Sequence, residues 1–200
     1  MLTFKPLTPD YASQTAKIHI SGISTGFISS LGIDFVTALY EAISSDRNSN
    51  SFGFVAVEGG EVVGFIAVSS NLSALYKFIV HQNFFRFGFV LARRMFSLKV
   101  IKKVFANILY PSKMKKAGLP DAELLSIVVE PSCRGKGVAR KLIDQCFEEC
   151  KSRGIDKLKV LVAAENKAAN KLYMNSGFLF HSSIDSHGVN SNIYVIDFTS

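Results

Sequence analysis

The chain has 200 residues, of which 48% are apolar and 20% are charged, and it carries a formal net charge of +7. This length and apolar content fit one globular domain with a sizeable core and exclude a disordered chain. The N-terminus lacks the pattern of a secretory signal, and no uncharged run approaches the about 20 apolar residues of a spanning helix. We therefore expect a cytoplasmic protein, either free in solution or peripheral at a membrane.

The first 70 residues predict a strand, two helices and a β-hairpin. Apolar residues recur at helical spacing in two stretches, and two β-rich runs follow. Between those runs, Gly59-Gly60-Glu61 is a strong hairpin signal. The predicted elements are a strand at 2–5, helices at 10–20 and 33–43, and strands at 52–58 and 62–69.

Residues 71–120 differ from the rest in being both basic and aromatic. No Asp or Glu occurs from Val62 to Pro120, whereas the same stretch contains ten Lys and Arg side chains. Two or three short amphipathic helices fit the pattern. They either form a cap that packs phenylalanines on the sheet and shows lysines to water, or they bind an anionic or membrane-surface partner. Nucleic acid is disfavoured, because no recognised reading motif accompanies the charge.

The remaining chain predicts strands that alternate with helices before a closing pair of strands. The predicted elements are strands at 123–130 and 158–162, helices at 135–153 and 166–176, and strands at 178–181 and 191–198, the last two joined by a turn at 187–190. Cys146 and Cys150 fall one turn apart on the apolar side of the first of these helices. That spacing suits a metal or buried core thiols. Since no histidine or further cysteine lies nearby, we favour core thiols and expect no metal.

The loop between strand 123–130 and the next helix has the character of a pyrophosphate cradle. Gly135 and Gly137 let backbone N–H groups turn toward an anion, the helix N-terminus adds partial positive charge, and Arg134 and Lys136 add two cations. A nucleotide-triphosphate loop would need Ser or Thr after Lys136, and a dinucleotide loop would need glycine where Arg140 stands. The simpler alternative is that the glycines only start a helix.

Two ordered motifs resemble one family. Arg134, Gly137 and Ala139 match the pattern Q/R-x-x-G-x-G/A after a strand, and Asn166 to Phe178 matches N-x-x-A-x-x-L-Y-x-x-x-G-F. The sequence therefore resembles the GNAT superfamily of N-acetyltransferases, strongly over 123–180, only as a pattern over 2–69, and not over 71–120.

The resemblance implies a fold and a reaction. The fold would be α/β, with a mixed, mostly antiparallel central sheet flanked by helices, split beside the cofactor strand and preceded there by the helical insertion 71–120. Residues 1–200 would form a single acyltransferase domain. The reaction would be direct transfer of acetyl from acetyl-CoA, the cosubstrate, to a primary amine.

The resemblance also assigns site residues. The backbone of Ile127, Val128 and Val129 would pair with the pantetheine arm and direct an N–H at the thioester oxygen. The residues that would hold the pyrophosphate are Arg134, Gly135, Lys136, Gly137, Val138 and Ala139. Asn166 would bond the pantetheine, although it is equally a natural N-cap. Tyr173 would protonate the departing thiolate, or else be a core aromatic only.

The general base and the acceptor are less well specified. Family members often use a Glu, and Glu123 is the best candidate, with Asp121 and Glu165 as alternatives; each could instead be a solvated charge. For the acceptor we favour a small-molecule amine such as an amino sugar or glycan precursor. The alternatives are transfer from an acyl-carrier thioester, and a non-catalytic membrane-surface or polyanion-binding module of the same fold. A homodimer is compatible with the sequence.

Overall fold

The structure is a computed structural model that describes residues 1–24, 26–45, 50–82, 114, 117–186 and 189–199. The strands are β1 Leu2–Pro6, β2 Ser51–Glu58, β3 Glu61–Ser69, β4 Glu123–Val129, β5 Lys157–Ala163, β6 Leu179–Ser186 and β7 Val189–Asp197. The helices are α1 Pro9–Gly22, α2 Phe27–Ser30, α3 Ile33–Ile43, α4 Leu72–Gln82, α5 Val138–Ser152 and α6 Lys167–Asn175. Of the helices predicted in the insertion, α4 is confirmed, and those at 83–113 lie outside the described residues.

Among the described residues, the seven strands form one sheet in the order β1-β2-β3-β4-β5-β7-β6. The β4–β5 pair is parallel, and the other neighbouring pairs are antiparallel. The mixed, mostly antiparallel sheet predicted from the sequence is therefore confirmed.

The sheet opens between β4 and β5. These strands pair only where Glu123 meets Lys159 and Leu124 meets Val160. From Leu125 to Val129, β3 is the only described strand beside β4. Two half-sheets therefore diverge from a short common junction, which is the split expected beside the cofactor strand.

Helices cover both faces of the sheet. One core holds residues of α1, α3, β3 and α4, with Tyr40 and Phe65 fully enclosed. The opposite core holds α5 and α6 residues, including Cys146 and Cys150, each 0% exposed. The two cysteines thus lie where core thiols were predicted, and the described residues hold no cluster of three metal-ligating side chains.

The structure corrects two predicted elements. Helix α5 begins at Val138 and not at Gly135, because Gly135 and Gly137 adopt φ of 75° and 78°, which a right-handed helix excludes. The single-turn helix α2 was missed, since four residues are too few to display a helical period. No helix in the described part of the chain combines the length and apolarity that crossing a membrane requires.

Candidate active site

The turn between β4 and α5 exposes backbone N–H groups. The first hydrogen bond of α5 runs from the N–H of Lys141 to the carbonyl of Gly137 at 3.1 Å, which leaves Val138, Ala139 and Arg140 without an acceptor in the helix. Gly137 is the N-cap residue and has no side chain that could take their place. The N-terminus of α5 therefore presents uncapped donors together with the positive end of the helix dipole.

The glycines keep this turn open. Beside Gly135 and Gly137, no atom of the described residues lies within 4 Å of where a Cβ would stand, and both residues are exposed. Lys136 between them is exposed as well. An anion could therefore approach the backbone closely from the solvent side.

Arg134 is fastened to the end of β4. Its Nε donates to the carbonyl of Val129 at 3.0 Å, while its two Nη groups have no hydrogen-bond partner in the part of the chain that the structure describes. The guanidinium is thus held at the cradle with donors available. The side chain was predicted from the motif, whereas this anchoring contact was not.

The free edge of β4 offers further backbone groups. Glu130 donates its N–H to the carbonyl of Val63 on β3 at 2.8 Å. Because successive residues of a strand point their polar groups to opposite sides, Val128 also faces β3, whereas Ile127 and Val129 face the opening toward β5. Of the three predicted backbone positions, Ile127 and Val129 can therefore hydrogen-bond a ligand in the opening. The backbone polar groups of Val128 point to β3 instead.

Tyr173 lies in the core below α6 and is 4% exposed. Its ring packs edge-on against Phe178, with centroids 5.6 Å apart, and near Tyr194 at 6.4 Å. Burial, with a smaller contribution from Cys146, raises the pKa of Tyr173 well above its ordinary value. None of the described residues hydrogen-bonds to its hydroxyl. The phenol is therefore neutral at physiological pH and can donate a hydrogen bond to a bound group.

Asn166 is the N-cap of α6, as its capping interpretation predicts. Its Oδ1 accepts from the N–H of Ala169 at 3.1 Å, and the side chain is exposed. The neighbouring Asn170 was missed. It is 7% exposed, and its Oδ1 accepts from Asn192 Nδ2 and from the Tyr194 hydroxyl, both at 2.8 Å. Asn170 therefore ties α6, and Tyr173 one turn further on, to β7.

Glu123 is a buried charge and not a solvated one. The residue is 8% exposed, and its Oε2 lies 3.4 Å from the Nζ of Lys159, which is 3% exposed. The solvated-charge interpretation of Glu123 is therefore wrong. Asp121 and Glu165 are exposed, so that interpretation stands for them. Lys159 was not predicted as a site residue. The sequence feature that could have indicated it is a lysine within an otherwise apolar strand.

A buried histidine lies on the α1 and α3 side of the sheet. His19 Nδ1 lies 2.6 Å from the hydroxyl of Tyr40, and the ring stacks on Phe65 with centroids 6.2 Å apart. Burial lowers the pKa of His19 to about 4. His19 is therefore neutral at physiological pH and serves the packing of α1 on α3, which agrees with its having no assigned role in the predicted site.

The chain returning from the insertion packs on that same face of the sheet. Met114 and Leu119 form a small buried cluster with Ile193 of β7, against which Leu161 of β5 packs. Leu161 and Lys159 are two residues apart on β5, so their side chains share a face. The end of the insertion thus lies beside the Glu123–Lys159 pair.

Part of this arrangement matches a known protein family. The family model described as Acetyltransferase (GNAT) family matches residues 102–178, which contain the glycine turn, α5, β5 and α6. The match begins inside the insertion, upstream of the region in which the resemblance was recognised.

Two curated relatives align over short stretches. Over 63 residues the chain is 36% identical to mycothiol acetyltransferase of Beutenbergia cavernae, covering 30% of this chain and 21% of that protein. Over 60 residues it is 37% identical to the ribosomal protein bS18-alanine N-acetyltransferase of Salmonella typhimurium, covering 30% and 40%. The aligned stretches thus span less than half the length of either relative.

A solved structure extends the likeness to the whole chain. The fold superposes on Arabidopsis thaliana NAA60 in complex with acetyl-CoA with a TM-score of 0.63 and 14% identity, covering 100% of both chains. At this identity the likeness concerns the fold alone, and that fold is the one expected from the sequence.

Proposed function

We propose that this chain, of which residues 102–178 match the GNAT acetyltransferase family, is a member of that family and moves the acetyl group of acetyl-CoA to a primary amine by direct transfer. The observation that carries the proposal is the uncapped N-terminus of α5, open at Gly135 and Gly137 and next to the unpaired edge of β4. A diphosphate fits the turn and an extended thiol-bearing arm fits the edge. Coenzyme A joins these two groups in one molecule.

The cofactor would be held in two places. Residues Arg134 to Ala139 would bind the pyrophosphate through N–H groups and two cations. The edge of β4 at Ile127 and Val129 would pair with the pantetheine arm, and Asn166 Nδ2 would add a bond, since its Oδ1 is already engaged by the cap. Acetyl-CoA supplies the activated thioester.

Catalysis would divide between two buried side chains. Glu123 would accept the proton that the ammonium of the acceptor must lose before its nitrogen attacks the thioester carbon. As the carbon–sulfur bond breaks, the Tyr173 hydroxyl would donate a hydrogen bond to the sulfur. Full proton transfer from a phenol of raised pKa to a thiolate of pKa about 8.5 is uphill, so stabilisation by a hydrogen bond is the role that suits it.

The acceptor is proposed to be a small molecule, and an amino sugar or glycan precursor is favoured. The basic segment 71–120 supports an anionic acceptor, because its C-terminal end packs beside Glu123 and Lys159. One relative is named for mycothiol and another for an alanine of a ribosomal protein, so peptide amines belong in the test as well. The chain would act as one domain over 1–200, with 71–120 as its insertion.

A thiol-release screen tests the proposal. Purified protein is incubated with acetyl-CoA and, in separate reactions, amino sugars, sugar nucleotides, polyamines, amino acids and peptides that begin with alanine. We expect release of CoA that depends on one class of amine, with equimolar acetylated product by mass spectrometry. Turnover with acyl-carrier thioester but not with acetyl-CoA would favour the carrier alternative. Binding to anionic vesicles or polyanions with no thiol release for any amine would favour a non-catalytic module.

A further inference from the structure

We infer that Lys159 is the positioning residue of the acceptor side, which holds Glu123 ionised and fixed and ties it to the end of the insertion. This inference rests on the proposed function, because it concerns the residue proposed there as the base. It goes beyond that function in assigning a role to a side chain that neither motif contains.

In the described part of the chain, the pair occupies the junction between the two half-sheets. Glu123 and Lys159 are Cα partners at the start of the β4–β5 pairing, and the N–H of Lys159 donates to the carbonyl of Ala122 at 3.0 Å. The strands diverge immediately after Leu124. A side chain anchored here therefore fixes the vertex from which the cleft opens.

The ammonium of Lys159 gathers acceptors from one short segment. Its Nζ donates to the carbonyls of Pro120 and Asp121, the latter at 3.3 Å, and lies 3.4 Å from Oε2 of Glu123. The two carbonyl contacts are hydrogen bonds, whereas the contact with Glu123 Oε2 is an ion pair without hydrogen-bond geometry. Lys159 thereby clamps residues 120–123, where the chain leaves the insertion and enters β4.

Lys159 places a buried cation beside the proposed base. The two side chains are 4% and 10% exposed, so both charges are largely removed from water. A cation this close favours the ionised form of a carboxyl group, and only an ionised Glu123 could accept a proton from the amine. The carbonyl contacts hold the ammonium at that place independently of Glu123.

The neighbouring Lys157 provides a matched control. It is two residues earlier on the same strand and forms an ion pair with Asp197 at 2.9 Å, but it is 55% exposed. Removing its charge should leave the cleft unchanged, because exposed pairs contribute little.

The test is a comparison of turnover in two backgrounds. Lys159→Met, Lys159→Arg and Lys157→Met are each made in the native chain and in Glu123→Gln, and kcat and the KM for acetyl-CoA are measured with the amine found by the screen. We expect Lys159→Met to lower kcat by about tenfold or more with little change in KM, Lys159→Arg to recover part of the loss, and Lys157→Met to have no effect. In the Glu123→Gln background, Lys159→Met should cause no further fall in kcat.

The same panel contains the outcomes that overturn the inference. An equal loss from Lys159→Met in both backgrounds would mean that the lysine only supports the fold, and an unchanged kcat in the native background would mean that it is dispensable. If Lys159→Met alone does not fold, the double variant decides, since it removes both charges; its kcat must equal that of Glu123→Gln. A native chain that releases no thiol refutes the proposed function itself. Full turnover by Glu123→Gln refutes the base, and with it this inference, while leaving acetyl transfer intact.

Discussion

At the scale of single residues, the proposed role of Tyr173 depends on its hydroxyl, whereas its packing depends on its ring. Its hydroxyl has no hydrogen-bond partner among the described residues, and its ring packs against Phe178. Tyr173→Phe should therefore keep the fold and the affinity for acetyl-CoA but lower kcat by about 10- to 100-fold, as is usual for a lost donor or acid. Steady-state kinetics and a binding titration measure the two effects. Tyr11→Phe, at a surface tyrosine of α1 that accepts from Lys5, is the control and should match the native enzyme.

The buried His19 should make the free energy of unfolding depend on pH. The unfolded chain binds a proton at this group below its ordinary pKa of 6.5, whereas the folded chain does so only near pH 4, because burial lowers the pKa. The unfolded state therefore binds more protons between these values, and the free energy of unfolding should fall as pH falls through that window, by about 3 kcal/mol in all. Urea unfolding of the native chain and of His19→Gln at pH 7 and pH 4.5 measures it. Parallel losses in the two proteins would contradict the assignment.

At this scale, the sequence predicted features that depend on adjacent residues and missed contacts between residues that are far apart in the chain. The open turn depends on the backbone conformation of Gly135 and Gly137 within one loop, so adjacent residues were enough to predict it. Lys159 and Asn170 act through partners 36 or 22 residues away, Glu123 and Asn192, and nothing local reveals such contacts. Their burial arises only when the strands assemble.

At the scale of elements, the glycine turn can be tested against another turn of similar conformation. Gly137 has φ of 78° and Gly59 has φ of 60°, and in both cases a Cβ would meet nothing within 4 Å. Gly137→Ala and Gly59→Ala should each lower the free energy of unfolding by about 1 kcal/mol, the cost of a left-handed L-residue. Only Gly137→Ala should also lower the affinity for acetyl-CoA, by about tenfold, since a methyl group there obstructs the approach of a diphosphate. Equal affinities of the two variants in a calorimetric titration would count against the cradle.

The boundaries of helices and strands show where the spacing of apolar residues is enough to predict them. Helix α3 was predicted with its observed bounds, because its apolar stripe is uninterrupted. Helix α5 was predicted three residues too early, because the apolar pattern cannot register the positive φ of two glycines. The closing hairpin is longer than predicted: β6 extends to Ser186, where polar residues such as Ser183 bond across to Asn192 and carry no apolar signal.

At the scale of the whole molecule, the split sheet provides a cleft in which the proposed cofactor and acceptor would meet. One half-sheet ends at β4 and carries the N–H groups of Ile127 and Val129, and the other begins at β5 and carries Lys159. The order of elements and the second motif were enough to predict this architecture. The packing of Met114 and Leu119 against Ile193 was not predictable, because it depends on how the insertion returns across the second half-sheet.

The most direct test of the central claim is a titration of the 15N-labelled protein with coenzyme A, followed by amide resonances. The account predicts that the amides of Gly135 to Arg140 shift strongly and saturate together, that those of Ile127 and Val129 follow, and that those of Gly59 and Gly60 in the β2–β3 turn stay unchanged. Saturable binding with no shift at Gly135 to Arg140 would contradict the claim that the N-terminus of α5 holds the diphosphate.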